Sequence, residues 1–186
     1  TSRAMQQQLN ITTPDSGVLL DDMAFETGAT IPPNRFIAPR IEAEIAFVMK
    51  APLTGDVTRD QVLAATDYVA PALEILDTRI VRAAGGKTRT IIDTISDNAA
   101  NAGIVMGDYR HAPTTDLRWV GAIVKRDGVV EETGLGAGVL DDPVTGIIWL
   151  ARRMHEYGQA IEPGQIILSG SFIRAMECPP GSHIDA

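Results

Sequence analysis

Short apolar runs alternate with polar breaks along this chain, and their spacing sets out its elements. Residues 17–49 carry apolar runs broken by "TGATIPPN", which predicts β structure joined by a Pro/Gly connection. Within them, "RIEAEIAFVMK" (40–50) reads as a buried strand interrupted by Glu42 and Glu44. "TRDQVLAATDY" (58–68) sets Leu63 and Ala64 behind Thr58, a capping residue type, and predicts a short helix. "YVAPALEIL" (68–76) is strand-like, with Pro71 predicting an edge or a bulge. "LRWVGAIVKRDGVVEETG" (117–134) predicts a hairpin turning at Asp127-Gly128. The main helix is predicted in "DDPVTGIIWLARRMHEYG" (141–158), capped by Asp142, opened by Pro143 and ended by Gly158. Ile147, Leu150, Ala151 and Met154 recur on one face of it. "GQIILSGSF" (164–172) predicts a core strand entering a small-residue turn, and Ile184 opens a last strand. Strands dominate without βαβ alternation, so the predicted class is α+β, mostly β and mostly antiparallel.

Composition narrows the function classes. The 186 residues are 45% hydrophobic and 22% charged, which suits one globular domain with a real core. Net charge is −8 and the basic residues are scattered, which argues against nucleic-acid binding. No run of about 18 apolar residues predicts a membrane span. Cys178 is the single cysteine, so an intrachain disulfide is excluded and a reducing cytoplasm fits. The three histidines, His111, His155 and His183, lack zinc-ligand spacing. "GLGAG" (134–138) lacks the strand-to-helix setting of a dinucleotide loop, and "SGS" (169–171) is not a nucleophile elbow.

The carboxylates carry more information. Residues two apart share a strand face, so Glu42 and Glu44 point the same way, roughly 6–7 Å apart. Glu74 is a third acid, inside the apolar "PALEIL". A hard divalent cation such as Mg²⁺, which takes oxygen ligands, would offset their repulsion. The alternative is that "EAE" faces solvent on an ordinary sheet. "DTISDNAANAG" (93–103) reads as a capped turn and short helix.

Seven stretches then align with a known pattern: "PDSGVLLDDM" (14–23), "PRIEAEIAFVM" (39–49), "DYVAPALEILDTRI" (67–80), "DTISDNAANAGIVMG" (93–107), "DLRWVGA" (116–122), "VEETGLGAGVL" (130–140) and "ILSGSF" (167–172). Together they resemble the hydratase/decarboxylase branch of the fumarylacetoacetate hydrolase superfamily, in family order through nearly the whole chain. The resemblance implies a mixed β-roll with few helices, and Mg²⁺ or Mn²⁺ held by Glu42, Glu44 and Glu74. It implies that Asp15 works near the substrate with a lysine from a segment upstream of Thr1. Further strands are expected after residue 186, so residues 1–186 are expected to be one catalytic domain without its outermost segments. The implied activity is hydration of a small 2-hydroxy-2,4-dienoate in aromatic catabolism. A decarboxylase on the same scaffold is the nearest alternative, and a non-catalytic partner subunit is another. Ser169 is the candidate for the substrate's C1 carboxylate. Arg174 is the candidate for a second carboxylate, with a solvent-exposed Arg as the alternative. A cytoplasmic homo-oligomer is expected, able to associate with a decarboxylase.

Overall fold

The computed structural model describes residues 13–186. Its elements run β1 (Ala24–Phe25), β2 (Arg40–Met49), α1 (Arg59–Ala65), β3 (Thr66–Leu76), β4 (Ala83–Ala84), β5 (Lys87–Thr88) and α2 (Ile91–Ser96). There follow β6 (Asn101–Met106), β7 (Gly121–Arg126), β8 (Val129–Leu135), α3 (Pro143–His155), β9 (Ile166–Leu168), β10 (Met176–Glu177) and β11 (Ile184–Asp185). The main sheet has the order β1-β6-β3-β2-β10, with β9 also on β2. Only the β1–β6 pairing within it is parallel. A second sheet, β11-β7-β8, and the small β4–β5 hairpin complete the strands.

β2 is buried on both faces, which explains its near-continuous apolar sequence. Ile41, Ala43, Ile45 and Phe47 face the main core, where they meet Val62 of α1 and Ile147 and Ala151 of α3. Each large side chain buried there contributes about 1.5–3 kcal/mol. The opposite face carries Glu42, Glu44 and Ala46; Ala46 packs with Ala72 and Ile104 in a small second cluster. The strand that holds the core together therefore also presents two acids on its other side.

The helices start where their caps dictate. Thr58 and Gln61 form a capping box on α1, whose helix stops at Ala65 because Thr66 begins β3. Asp142 accepts from the Val144 N–H at 3.0 Å and pairs with Arg59 at 2.9 Å, tying the starts of α1 and α3 together. At the hairpin, Asp127 (φ 54°) and Gly128 (φ 81°) both take left-handed conformations, as a two-residue turn matched to strand twist requires.

Three expectations need correction. Pro71 lies in an inner strand, paired with Ile45, and neither at an edge nor at a bulge. It is tolerated because β6 pairing starts only at Ala72, and the Gly107 N–H donates to its carbonyl at 2.8 Å. Residues 117–119 form a 3₁₀ turn rather than the start of the hairpin strand. The core strand expected over 164–172 is three residues long and partly exposed. Beyond it Ser169 and Phe172 still donate to Ile45 and Ala43, while Gly170 (φ 111°) and Ser171 loop out between them.

After α2, capped by Thr90 and Asp93, the chain makes a left-handed turn through Asn98 (φ 53°), Ala99 (φ 55°) and Ala100 (φ 61°). Three consecutive non-glycine residues there are strained. Asp97 holds the turn: its carboxylate accepts from the Arg79 Nε at 2.6 Å and N–H at 2.9 Å, and from Thr78 Oγ1 at 3.2 Å. Burial alone would raise the Asp97 pKa, but these donors outweigh it and hold the group below its usual range. Ala99→Gly should relieve the strain and stabilise the fold by about 1 kcal/mol, read as a higher denaturant midpoint. An unchanged or lower midpoint would mean the turn is not strained at Ala99. No helix among the described residues is long and apolar enough to cross a membrane.

Candidate metal centre and active-site cleft

The register of β2 and β3 assembles the acids. Glu42 lies directly opposite Glu74, and Glu44 opposite Ala72, so Glu44 and Glu74 are diagonal neighbours on the same face. One carboxylate oxygen from each of Glu42, Glu44 and Glu74 lies within 4.8 Å of the others. Glu42 and Glu44 are buried and Glu74 is half-buried. The Gly170 N–H donates to Glu44 Oε2 at 2.7 Å, and Asn101 Nδ2 donates to Glu74 Oε1 at 2.6 Å. Glu42 Oε1 is buried with no hydrogen-bond partner.

Three acids in so small a buried space cannot all ionise unaided. Burial first, then the charge of Glu74, pushes the Glu42 and Glu44 carboxyls well above their ordinary range. Glu74 is raised too, by burial, against hydrogen bonds from Glu44 and Asn101 that hold it down. A proton on Glu44, donated to Glu74, would remove one of the three charges. A divalent cation would offset two. Among the described residues no Lys or Arg forms an ion pair with any of the three. The all-oxygen donor set and the orphaned Glu42 oxygen fit a hard divalent ion such as Mg²⁺.

The trio lies on the wall of a cleft of about 910 Å³ that Asp15, Asn101 and Ser169 also line. Asp15 is half-buried on the segment before β1. Asn98 clamps that segment by accepting from the Val18 N–H at 2.7 Å and donating to the Val18 carbonyl at 2.9 Å. Gly17 allows the close approach, since a Cβ there would sit 2.4 Å from the Asn98 carbonyl oxygen. The left-handed turn thus aims Asn98 at the Asp15 segment and leads into Asn101 on Glu74. Ser169 Oγ is buried without a partner and lines the cleft.

The structure brings Asp15, Glu42, Glu44, Glu74 and Ser169 to one cleft but leaves Arg174 outside it. Arg174 pairs with Glu132 at 3.0 Å and its side chain is 72% exposed, matching the alternative reading of that residue. Sequence reasoning missed the positioning roles of Asn98 and Asn101, although both lie in the polar cluster it singled out. It also missed Arg40, Arg82 and Arg89, which line the cleft. Isolated arginines in a sequence give no sign that folding gathers them.

No family model matches the chain. It is 49% identical to the 2-oxo-hept-4-ene-1,7-dioate hydratase of Escherichia coli, over all of this chain and 72% of that protein. It superposes on 4-oxalocrotonate decarboxylase from Pseudomonas putida G7, complexed with magnesium and adipate, with a TM-score of 0.90. The identity there is 34%, covering 99% of this chain and 69% of that one. A fumarylacetoacetate hydrolase family protein from Yersinia pestis shares the fold, with a TM-score of 0.67 at 17% identity over 98% of this chain and 82% of its own. Strands prevail in all the sheets described above, and both enzymes are matched across nearly the full length of this chain. The chain belongs to the family of 2-oxo-hept-4-ene-1,7-dioate and 2-keto-4-pentenoate hydratases and 4-oxalocrotonate decarboxylases, and it shares its fold with fumarylacetoacetate hydrolase proteins.

Proposed function

We propose that the chain is the catalytic domain of a divalent-metal-dependent hydratase that converts 2-oxo-hept-4-ene-1,7-dioate and water to 4-hydroxy-2-oxoheptane-1,7-dioate. The observation that carries the reading is the buried Glu42–Glu44–Glu74 cluster in a cleft shared with Asp15, in a chain 49% identical to a hydratase of that substrate. Mg²⁺ or Mn²⁺ suits the oxygen donors and, when bound, supplies Lewis-acid stabilisation of negative charge on the substrate's C2 oxygen.

The chain's own residues do the rest. Glu42, Glu44 and Glu74 hold the ion, and the Gly170 N–H and Asn101 fix how Glu44 and Glu74 present their oxygens. Ser169 Oγ, with no partner in the fold, donates to the substrate's C1 carboxylate. Asp15 moves protons on the cleft wall. The 2-hydroxy-2,4-dienoate form ketonises as the C2 hydroxyl gives up its proton and C5 gains one, which leaves a C3–C4 double bond conjugated to the C2 carbonyl. Water then adds at C4, its oxygen bonding there while C3 takes up a proton. We propose that the protein works in the cytoplasm as a homo-oligomer, able to associate with a decarboxylase.

The reading is tested by supplying the dienoate with Mg²⁺ and following both its absorbance and CO₂. Hydration without CO₂, abolished by EDTA, is expected. Turnover of 4-oxalocrotonate with CO₂ release would move the chain to the decarboxylase side, which its likeness to the G7 enzyme makes the second reading. Turnover of neither would favour a non-catalytic partner subunit, and full activity in EDTA would remove the metal.

A further inference from the structure

The same cleft holds a second, oppositely charged group of side chains that the reaction above leaves unused. Arg40, Arg82 and Arg89 all line it. Arg82 and Arg89 flank the β4–β5 hairpin and are joined at its base, where the Arg89 N–H donates to the Arg82 carbonyl at 3.0 Å. Arg82 is held by a bond from Nη2 to the Ala38 carbonyl at 2.9 Å, and Arg89 by one from Nη1 to Thr78 Oγ1 at 2.7 Å. Arg40 reaches Glu177 at 3.2 Å, while its Nε is buried without a partner.

Charge is unbalanced there. Asp77 and Glu177 are the acids that act on Arg82. Asp77 is already committed, accepting from the Ile37 and Ala38 N–H groups at 2.8 Å each. Glu177 is exposed and serves Arg40. Burial, then the charges of Arg40 and Arg89, hold the Arg82 pKa below its ordinary value, as expected of cations gathered without enough counter-charge. An anion entering the cleft would find several guanidinium N–H groups prepared for it.

Spacing says which anion. Arg40 is two residues before Glu42 on β2, hence on the same face and about 6.6 Å along the strand. An extended seven-carbon chain separates its two carboxyl carbons by about 7–8 Å from standard bond lengths. We propose that Arg82, with Arg40 and Arg89, seats the second carboxylate of a dicarboxylate substrate whose first end lies at the glutamate cluster. The inference rests on the hydratase reading for the identity of the reaction, and it makes the chain selective for dioates over monoacids. It assigns to these three residues the role first considered for Arg174.

The test compares kcat/KM for 2-oxo-hept-4-ene-1,7-dioate with that for the monoacid 2-hydroxypenta-2,4-dienoate, in the protein with Mg²⁺. Arg82→Gln should lower the dioate-to-monoacid ratio about 10- to 100-fold, chiefly through KM, as expected for losing hydrogen bonds to a charged group. Arg82→Lys, which keeps the charge, should recover part of it. A parallel loss for both substrates, or an unchanged ratio, would overturn the proposal. Calorimetry with two unreactive probes, heptanedioate and heptanoate, separates this proposal from the hydratase reading. A protein that turns over neither substrate, yet prefers heptanedioate through Arg82, keeps the seat and loses the hydratase. One that hydrates the dioate but binds both probes alike keeps the hydratase and loses the seat.

Discussion

Glu42→Gln together with Glu44→Gln should lower divalent-dependent turnover by roughly 10³-fold or more, the scale of losing several kcal/mol of Lewis-acid stabilisation. The same change should make the metal-free protein more stable. All three carboxyls are raised above the ordinary 4.5, because burial disfavours their charged forms and, at Glu42 and Glu44, the charge of Glu74 adds to it. Above pH 4.5 the folded metal-free protein therefore keeps protons that the unfolded chain has released. Its stability must fall as pH rises from there through the folded pKa values, and glutamine at two of the sites flattens that fall. A divalent cation acts the opposite way. It binds the deprotonated cluster, releases protons and binds more tightly as pH rises. At a hundredfold excess over Kd it adds about 2.7 kcal/mol to the wild type, a gain the double variant should lack. Thermal unfolding with EDTA and with Mg²⁺ across pH reads all of this. Equal Mg²⁺ stabilisation of wild type and variant would end the assignment of these residues as ligands.

Asp15→Asn should lower kcat by about 10²–10⁴-fold, the usual range for a positioned proton-transfer group. Mg²⁺ affinity should change little, because Asp15 acts on the cluster through its charge from a separate segment. The amide keeps the shape and the approach of Gly17 and Val18 to Asn98, so a folding defect is not expected. An unchanged kcat would remove Asp15 from the mechanism. A loss of Mg²⁺ stabilisation equal to that of the glutamate double variant would recast it as a ligand.

Much of the local structure follows from residues alone. Thr58, Asp142 and Pro143 mark helix starts because cap chemistry is local, and Asp127-Gly128 marks a turn because few residue pairs accept two left-handed conformations. The shared face of Glu42 and Glu44 is equally local, a consequence of the strand's period of two. Glu74 could be named beside them because an acid in "PALEIL" has apolar neighbours on both sides.

Tertiary structure decided whatever depends on pairing between distant segments. The register that sets Glu74 opposite Glu42 is a property of two strands and cannot be read from either one. Pro71 defeats the edge-strand rule because β6 ends one residue short of it, which only the sheet reveals. The left-handed turn at Asn98–Ala100 carries no glycine to announce it, and Asp97 anchoring to Arg79 and Thr78 is what holds it. The gathering of Arg40, Arg82 and Arg89, and the departure of Arg174 to Glu132, follow the same principle. Local conformational preference is written in neighbouring residues. Which charges meet across a cleft is set by the packing of the whole chain.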